Sequence, residues 1–176
     1  MRILVAMLSL VFLSGCEKDW QHYYSMTGEF SIDTPESPRE AVKFADMAIG
    51  PVTVNSVVYS GGTREEPFVY VVNFYELSEM ALKLEPDVIL ALASKSFLEF
   101  SGRTANVISK KEVTASGVKG LELDLSFGGG KKAVRGRVFY ANEIVYYVVV
   151  EKVGDVNMNE EDNRFLDSFT FHFKDK

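Results

Sequence analysis

The sequence predicts an α+β domain, an antiparallel β-sheet with two main helices packed on it. Three observations carry that expectation. Strand-like segments outnumber helical ones and are separated by short Gly-rich turns, which favours hairpins over crossover connections. One apolar stripe at helical spacing interrupts them mid-chain, and a second, acid-capped helix closes the chain. Two neighbouring strands can also be aligned so that charges meet charges and apolar residues meet apolar ones.

Residues 1–15 stand outside that domain. Met1-Arg2 gives a short positive start, and Ile3 to Leu13 is an apolar run broken only by Ser9. A bilayer crossing needs about 20 apolar residues, so this run is too short. A charged start, a short apolar run and small residues after it are instead the marks of a secretory signal. Ser14-Gly15 followed directly by Cys16 resembles the lipobox of bacterial lipoproteins. The resemblance implies cleavage before Cys16 and acylation of its sulfur. Two or three acyl chains, at roughly 0.8 kcal/mol per buried methylene, make a durable anchor. The residue after the cysteine is Glu17, not the aspartate of an inner-membrane retention signal. The expected location is therefore the cell envelope, at the periplasmic face of the outer membrane in a host with two membranes.

Removing residues 1–15 from the 176 leaves 161, enough for one domain with a real core. The formal charge moves from −6 to −7 with the loss of Arg2, which argues against non-specific nucleic-acid binding, since that relies on Lys and Arg neutralising phosphates. Cys16 is the single cysteine, so no disulfide is expected, and stability must come from packing.

Glu17 to Thr27 is expected to be a polar connector of 11 residues, reaching about 35–40 Å when extended. Its Trp20, Tyr23 and Tyr24 suit either the headgroup level of a membrane or contact with the domain. The domain itself is expected over 28–173. A short strand over 28–32 ends at Asp33-Thr34-Pro35, and strands follow at about 41–49, 52–60 and 67–76. The third of these, Phe68 to Tyr75, is apolar on both faces and is expected to be central.

Pro86 to Phe100 carries Ile89, Leu92, Ala93, Ser96, Phe97 and Phe100 on one helical stripe, with Asp87 in its first turn. Strands at about 104–114, 118–127, 132–141 and 144–152 come next. Leu121, Leu123 and Leu125 alternate with Glu122, Asp124 and Ser126, predicting one buried and one wet face. With Gly128 to Lys131 as the turn, Asp124 falls opposite Arg135, Glu122 opposite Arg137, Leu121 opposite Val138 and Leu125 opposite Val134. Ile144 to Val150 is apolar throughout and is expected inside. Asn157 to Phe169 forms the closing helix, capped by Asn159 with Glu160, Glu161 and Asp162 near the positive end of its dipole. Thr170 to Phe173 makes a last short strand.

Four segments together resemble the PsbP-like fold, shared by a photosystem extrinsic protein, a Ran-binding nuclear factor and many small bacterial lipoproteins. They are Phe30-Ser31-Ile32-Asp33-Thr34-Pro35, the mid-chain helix, Gly136-Arg137-Val138-Phe139-Tyr140, and Arg164-Phe165-Leu166-Asp167-Ser168-Phe169. The resemblance implies an antiparallel sheet with helices on it, used as a binding or assembly module. It transfers no functional residues.

No catalytic set stands out. His22 lies in the connector, and His172 shares a face of the last strand with Thr170. No Gly-x-Ser-x-Gly elbow presents a serine, and the supply of zinc ligands is poor. Gly128-Gly129-Gly130-Lys131-Lys132 joins two strands, so it is a hairpin turn and not a phosphate loop, which leads into a helix. Lys131, Lys132, Arg135 and Arg137 make the best basic cluster, either a solvated face or a recognition patch for lipid headgroups or an acidic partner. The expected function is thus a membrane-anchored, non-catalytic envelope lipoprotein that binds a protein partner or supports an assembly, without cofactor or metal. The alternatives are a small-ligand or glycan-binding lipoprotein, or a hydrolase.

Overall fold

The computed structural model describes residues 19–47, 50–101 and 105–173; the signal segment and Cys16 lie outside them. Among these residues ten strands form two antiparallel sheets, accompanied by two α-helices and a 3-10 turn at Ala81–Lys83. The large sheet has seven strands in the order β3-β4-β5-β9-β8-β7-β6. These are β3 (Arg39–Met47), β4 (Gly50–Gly62), β5 (Pro67–Glu76), β6 (Asn106–Ala115), β7 (Val118–Phe127), β8 (Lys132–Ala141) and β9 (Ile144–Val153). The small sheet joins β1 (Gln21–Ser25), β2 (Phe30–Thr34) and β10 (Thr170–Phe171) in the order β1-β2-β10. Helix α1 (Pro86–Ser101) lies on one face of the large sheet, and α2 (Glu160–Asp167) with the small sheet covers the other.

The expected α+β class with antiparallel strands holds, but the molecule is dominated by its sheets to a degree the two-helix description missed. The alternating patterns explain the layering. On one face Leu123, Leu125, Val134, Val138, Val145 and Tyr147 meet Ile89, Ala93 and Phe97 of α1. On the other, Val72, Phe74, Phe139, Tyr146 and Val148 meet Phe165 and Leu166 of α2 with Phe30, Ile32 and Phe171 of the small sheet. β9 is the middle strand and is buried from Ile144 to Val150, as its unbroken apolar run requires. The expected β7–β8 register is the observed one, including Glu122 opposite Arg137 and Asp124 opposite Arg135.

Three expectations need correcting. The segment read as a connector contains β1, paired with β2 from Gln21 opposite Thr34 to Ser25 opposite Phe30. Trp20 stacks on Tyr70 at 6.3 Å between ring centroids, with the Arg164 guanidinium 4.6 Å from its ring centroid. Tyr23 packs against the same core, and its hydroxyl donates to Glu40 at 2.6 Å. Burial and that carboxylate push the Tyr23 phenol up to about 12. Trp20 and Tyr23 therefore belong to the domain, while Tyr24 remains exposed. The second correction concerns β7, whose polar face is not wet at Glu122: that residue is 1% exposed, because Lys111, Arg135 and Arg137 close over its carboxylate.

Helix α2 is shorter than expected, starting at its cap. The Asn159 side chain accepts from the Asp162 backbone N–H at 2.9 Å, and the Asp162 carboxylate accepts from the Asn159 N–H at 2.8 Å. This reciprocal box satisfies two helix-end donors at once.

Candidate functional site

The four cations of the expected basic patch do not share a surface. Lys131 is exposed in the Gly128–Gly130 turn. Lys132 faces the α1 side, where its Nζ lies 2.7 Å from Glu151 and 5.4 Å from the Phe127 ring centroid. Arg135 and Arg137 point to the opposite side, under α2.

There they form a charged ladder across three strands. Arg137 Nε donates to Glu122 at 2.7 Å, its Nη1 to the Leu166 carbonyl at 2.8 Å, and its Nη2 to Asp167 at 2.6 Å. Arg135 grips Asp124 with two nitrogens, at 2.5 and 3.2 Å, and reaches Asn163 of α2. Lys111 Nζ lies 2.9 Å from Glu122 Oε1. This contact is an ion pair. Burial alone would raise the Glu122 carboxyl, but Lys111 and Arg137 overcome it and hold it below its ordinary value. Asp124 is likewise lowered, by Arg135 and the Ser109 hydroxyl against the effect of burial. The ladder ties α2 to the sheet through the Arg135 and Arg137 bonds to Asn163, Leu166 and Asp167.

A second buried ion pair stands nearby. Lys152 Nζ contacts Asp162 at 3.1 Å and the Asn157 carbonyl at 2.7 Å, and the Tyr70 hydroxyl donates to Asp162 at 2.8 Å. Burial and the Asp162 carboxylate push the Tyr70 phenol strongly up. Asp162 thus serves as helix cap, counterion and acceptor, which are structural roles.

The histidines decorate the small sheet. His22 Nδ1 lies 2.9 Å from Asp33, and His172 Nε2 lies 2.7 Å from the Ser31 hydroxyl. A serine–histidine contact invites a nucleophile reading. Ser31 is 1% exposed, however, and Asp33 sits against His22, not His172. No substrate carbonyl can reach that hydroxyl as the protein stands. Among the described residues, no three His, Cys, Asp or Glu side chains gather as metal ligands, and no helix is long and apolar enough to cross a membrane.

Two features remain accessible. The first is a half-open groove of about 270 Å³ on the α1 face. Its floor is Val71 and Asn73 of β5, Val134 of β8, and Tyr147 and Val149 of β9. Phe97 of α1 walls one side, and the β3–β4 hairpin walls the other through Lys43, Met47 and Val54. The Lys132–Glu151 pair stands at its rim. The second is the outer edge of β3, which has no strand beyond it in the sheet order. Val42 and Phe44 project from it at 66% and 88% exposure, on the face opposite Lys43. The other edge, β6, is defended by Lys110, Lys111 and a register break between Val107 and Ser109, devices that discourage edge pairing. β3 lacks a bulge and has Lys43 as the lone lysine along its length. Sequence reasoning did not single out either feature.

No family model and no curated protein matches this sequence. Among solved structures the chain is similar to the solution structure of cyanobacterial PsbP (CyanoP) from Synechocystis sp. PCC 6803, with a TM-score of 0.52 at 12% identity. The match covers 95% of this chain and 98% of that one. At this identity the likeness speaks to architecture alone, and the fold of the described residues is PsbP-like.

Proposed function

We propose that the protein is a lipid-anchored envelope lipoprotein whose domain is a non-catalytic docking module for a protein partner. The observation that carries this reading is the contrast between the two sheet edges. Both edges expose apolar side chains, Val107 and Ile108 on β6 and Val42 and Phe44 on β3, but β6 is interrupted there by its register break, whereas β3 runs unbroken over nine residues with no strand beyond it. An extended segment with apolar side chains at alternate positions would add to β3 as an eighth strand. Main-chain hydrogen bonds would give affinity, and Val42 and Phe44 would select the side chains. The anchor rests on the Ser14-Gly15-Cys16 sequence, and the ion-paired ladder under α2 is consistent with a scaffold that does no chemistry.

The test places a photoreactive residue at position 44 or at position 110 in cells. A discrete adduct from 44 that Val42→Lys abolishes, with none from 110, is expected; equal behaviour at both edges rejects docking at β3. The anchor is tested separately, because Cys16→Ser should move the protein into the soluble fraction. Fractionation unchanged by that substitution rejects acylation and leaves the docking claim untouched.

The half-open groove beside α1 supports a second reading, a ligand-binding lipoprotein.

A further inference from the structure

We infer that the β3 edge selects a basic partner: an extended segment with the pattern basic-x-apolar-x-apolar-x-basic. The inference rests on docking at β3 and adds the partner's charge to it.

Ala45 and Met47 pack on the α1 side of the sheet. Side chains alternate along a strand, so Glu40, Val42, Phe44 and Asp46 stand together on the other side. All four are exposed. The β4 residues opposite them are Val57, Asn55, Thr53 and Pro51, and none of these carries a charge. Glu40 accepts the Tyr23 hydroxyl at 2.6 Å, a neutral donor that leaves the carboxylate charge in place. Asp46 sits opposite Pro51, which cannot answer its charge. Along this face the open edge therefore reads acid, apolar, apolar, acid.

Every strand pair in the large sheet is antiparallel. An eighth strand added in the same sense sets its side chains directly opposite these four. Opposite charges across a strand pair stabilise it, and like charges destabilise it. Apolar residues thus belong opposite Val42 and Phe44, with lysine or arginine opposite Glu40 and Asp46. The spacing of the two acids places the basic residues six positions apart, one beyond each end of the apolar pair.

The same charges disfavour a second copy of the chain. A twofold axis at Lys43 would pair all nine residues of β3 and lay Val42 on the second copy's Phe44. It would also set Glu40 against the second copy's Asp46 at both ends, and the two Lys43 side chains against each other. Registers two residues away put Asp46 opposite Val42, or Glu40 opposite Phe44. The β6 edge suits the segment no better, because its exposed Val107 and Ile108 are followed by exposed Lys110, where a basic residue meets a like charge.

The test titrates the full chain, in neutral detergent micelles, with two capped nine-residue peptides. The first has lysine at positions 2 and 8, valine at 4 and 6, and threonine elsewhere; the second has glutamate in place of both lysines. Amide NMR shifts of Val42 and Phe44 report binding at β3, and those of Val107 and Lys110 report binding at β6. The lysine peptide should bind at β3 about 10-fold more tightly than the glutamate peptide, since two attractive pairs replace two repulsive ones. That gap should narrow as salt rises, because exposed charges are screened. Glu40→Gln with Asp46→Asn should abolish the preference; glutamine still offers Tyr23 an acceptor, and circular dichroism checks the fold. Should that variant unfold, the two peptides and their salt dependence on the unaltered chain decide. Equal binding of the peptides at β3, or tighter binding of the glutamate peptide, overturns the basic partner and leaves docking at β3 standing. Binding of neither at millimolar concentration overturns both. Equal shifts at β6 overturn the assignment to β3. Shifts of the β3 amides with protein concentration alone would make a second copy the occupant and overturn the proposal.

Discussion

Replacing Glu122 by Gln tests whether the ladder under α2 holds the fold together. The carboxylate is 2% exposed and is the meeting point of Arg137 at 2.7 Å, Lys111 at 2.9 Å and Arg135 at 3.7 Å. A glutamine of the same shape keeps one acceptor but removes the charge, leaving the Arg137 guanidinium covered by α2 with Asp167 as its remaining counterion. Removing one partner of a buried pair costs about 3–5 kcal/mol, a large share of a domain stability of about 5–15 kcal/mol. At about 2–4 °C per kcal/mol for a domain of this size, the melting temperature should fall by about 6–20 °C. Urea titration with an unchanged slope would show that stability, and not compactness, has changed. The double replacement Glu122→Leu with Arg137→Met should cost less than Glu122→Gln, because no orphan charge remains. A single-variant loss under about 1 kcal/mol would refute the reasoning and make the ladder a surface network.

Acid should weaken the protein through the same groups. Glu122 and Asp124 are held below their ordinary values of 4.5 and 3.8. Their contribution is therefore fully present above about pH 5 and is lost as pH falls through the lowered folded values. Stability measured against pH should bend downward below that point, and Glu122→Gln should flatten the bend; parallel curves for the two proteins would count against it. Gly136→Val should lose about 1–3 kcal/mol, since even a Cβ there would lie 2.2 Å from the Phe97 ring; chemical denaturation at wild-type stability would show that the helix yields freely. Asn159→Ala should cost about 1 kcal/mol through loss of the helix cap, and amide exchange should show the first turn of α2 opening while β9 stays protected.

The legible parts of the fold were those where a local pattern had one physical solution. Leu121, Leu123 and Leu125 against Glu122 and Asp124 fixed a face and a register, because any one-residue slip would have set leucines against arginines. Asn159 with three acids after it marked a helix start by its chemistry alone. The polar face of β7 misled because alternation tells which residues share a side, not whether something later covers that side. β1 was missed because Gln21-His22-Tyr23-Tyr24-Ser25 buries little of itself; its signal was the tyrosine pair, which suits a strand. The groove was invisible in the sequence, since Lys43, Asn73, Phe97 and Lys132 come from four separate elements. Val42 and Phe44 look like core residues in a local pattern, and only the strand order shows that β3 has no neighbour to cover them.

The pairing of β1 with β2 changes the mechanics of attachment. Once Gln21 is fixed in a strand, the chain from Cys16 to the domain can span no more than about 17 Å, roughly half the connector's full reach. A domain of this length has a radius of gyration of about 15 Å. With Cys16 acylated, the leash is shorter than the body it holds is wide, so tumbling would be hindered and the domain would lean on the bilayer. Any partner must then come from the same membrane or from within a few nanometres of it, at high effective concentration and in a narrow range of approach angles. Lengthening the leash with a flexible insert after Asp19 would relax that confinement without touching a single contact in the fold.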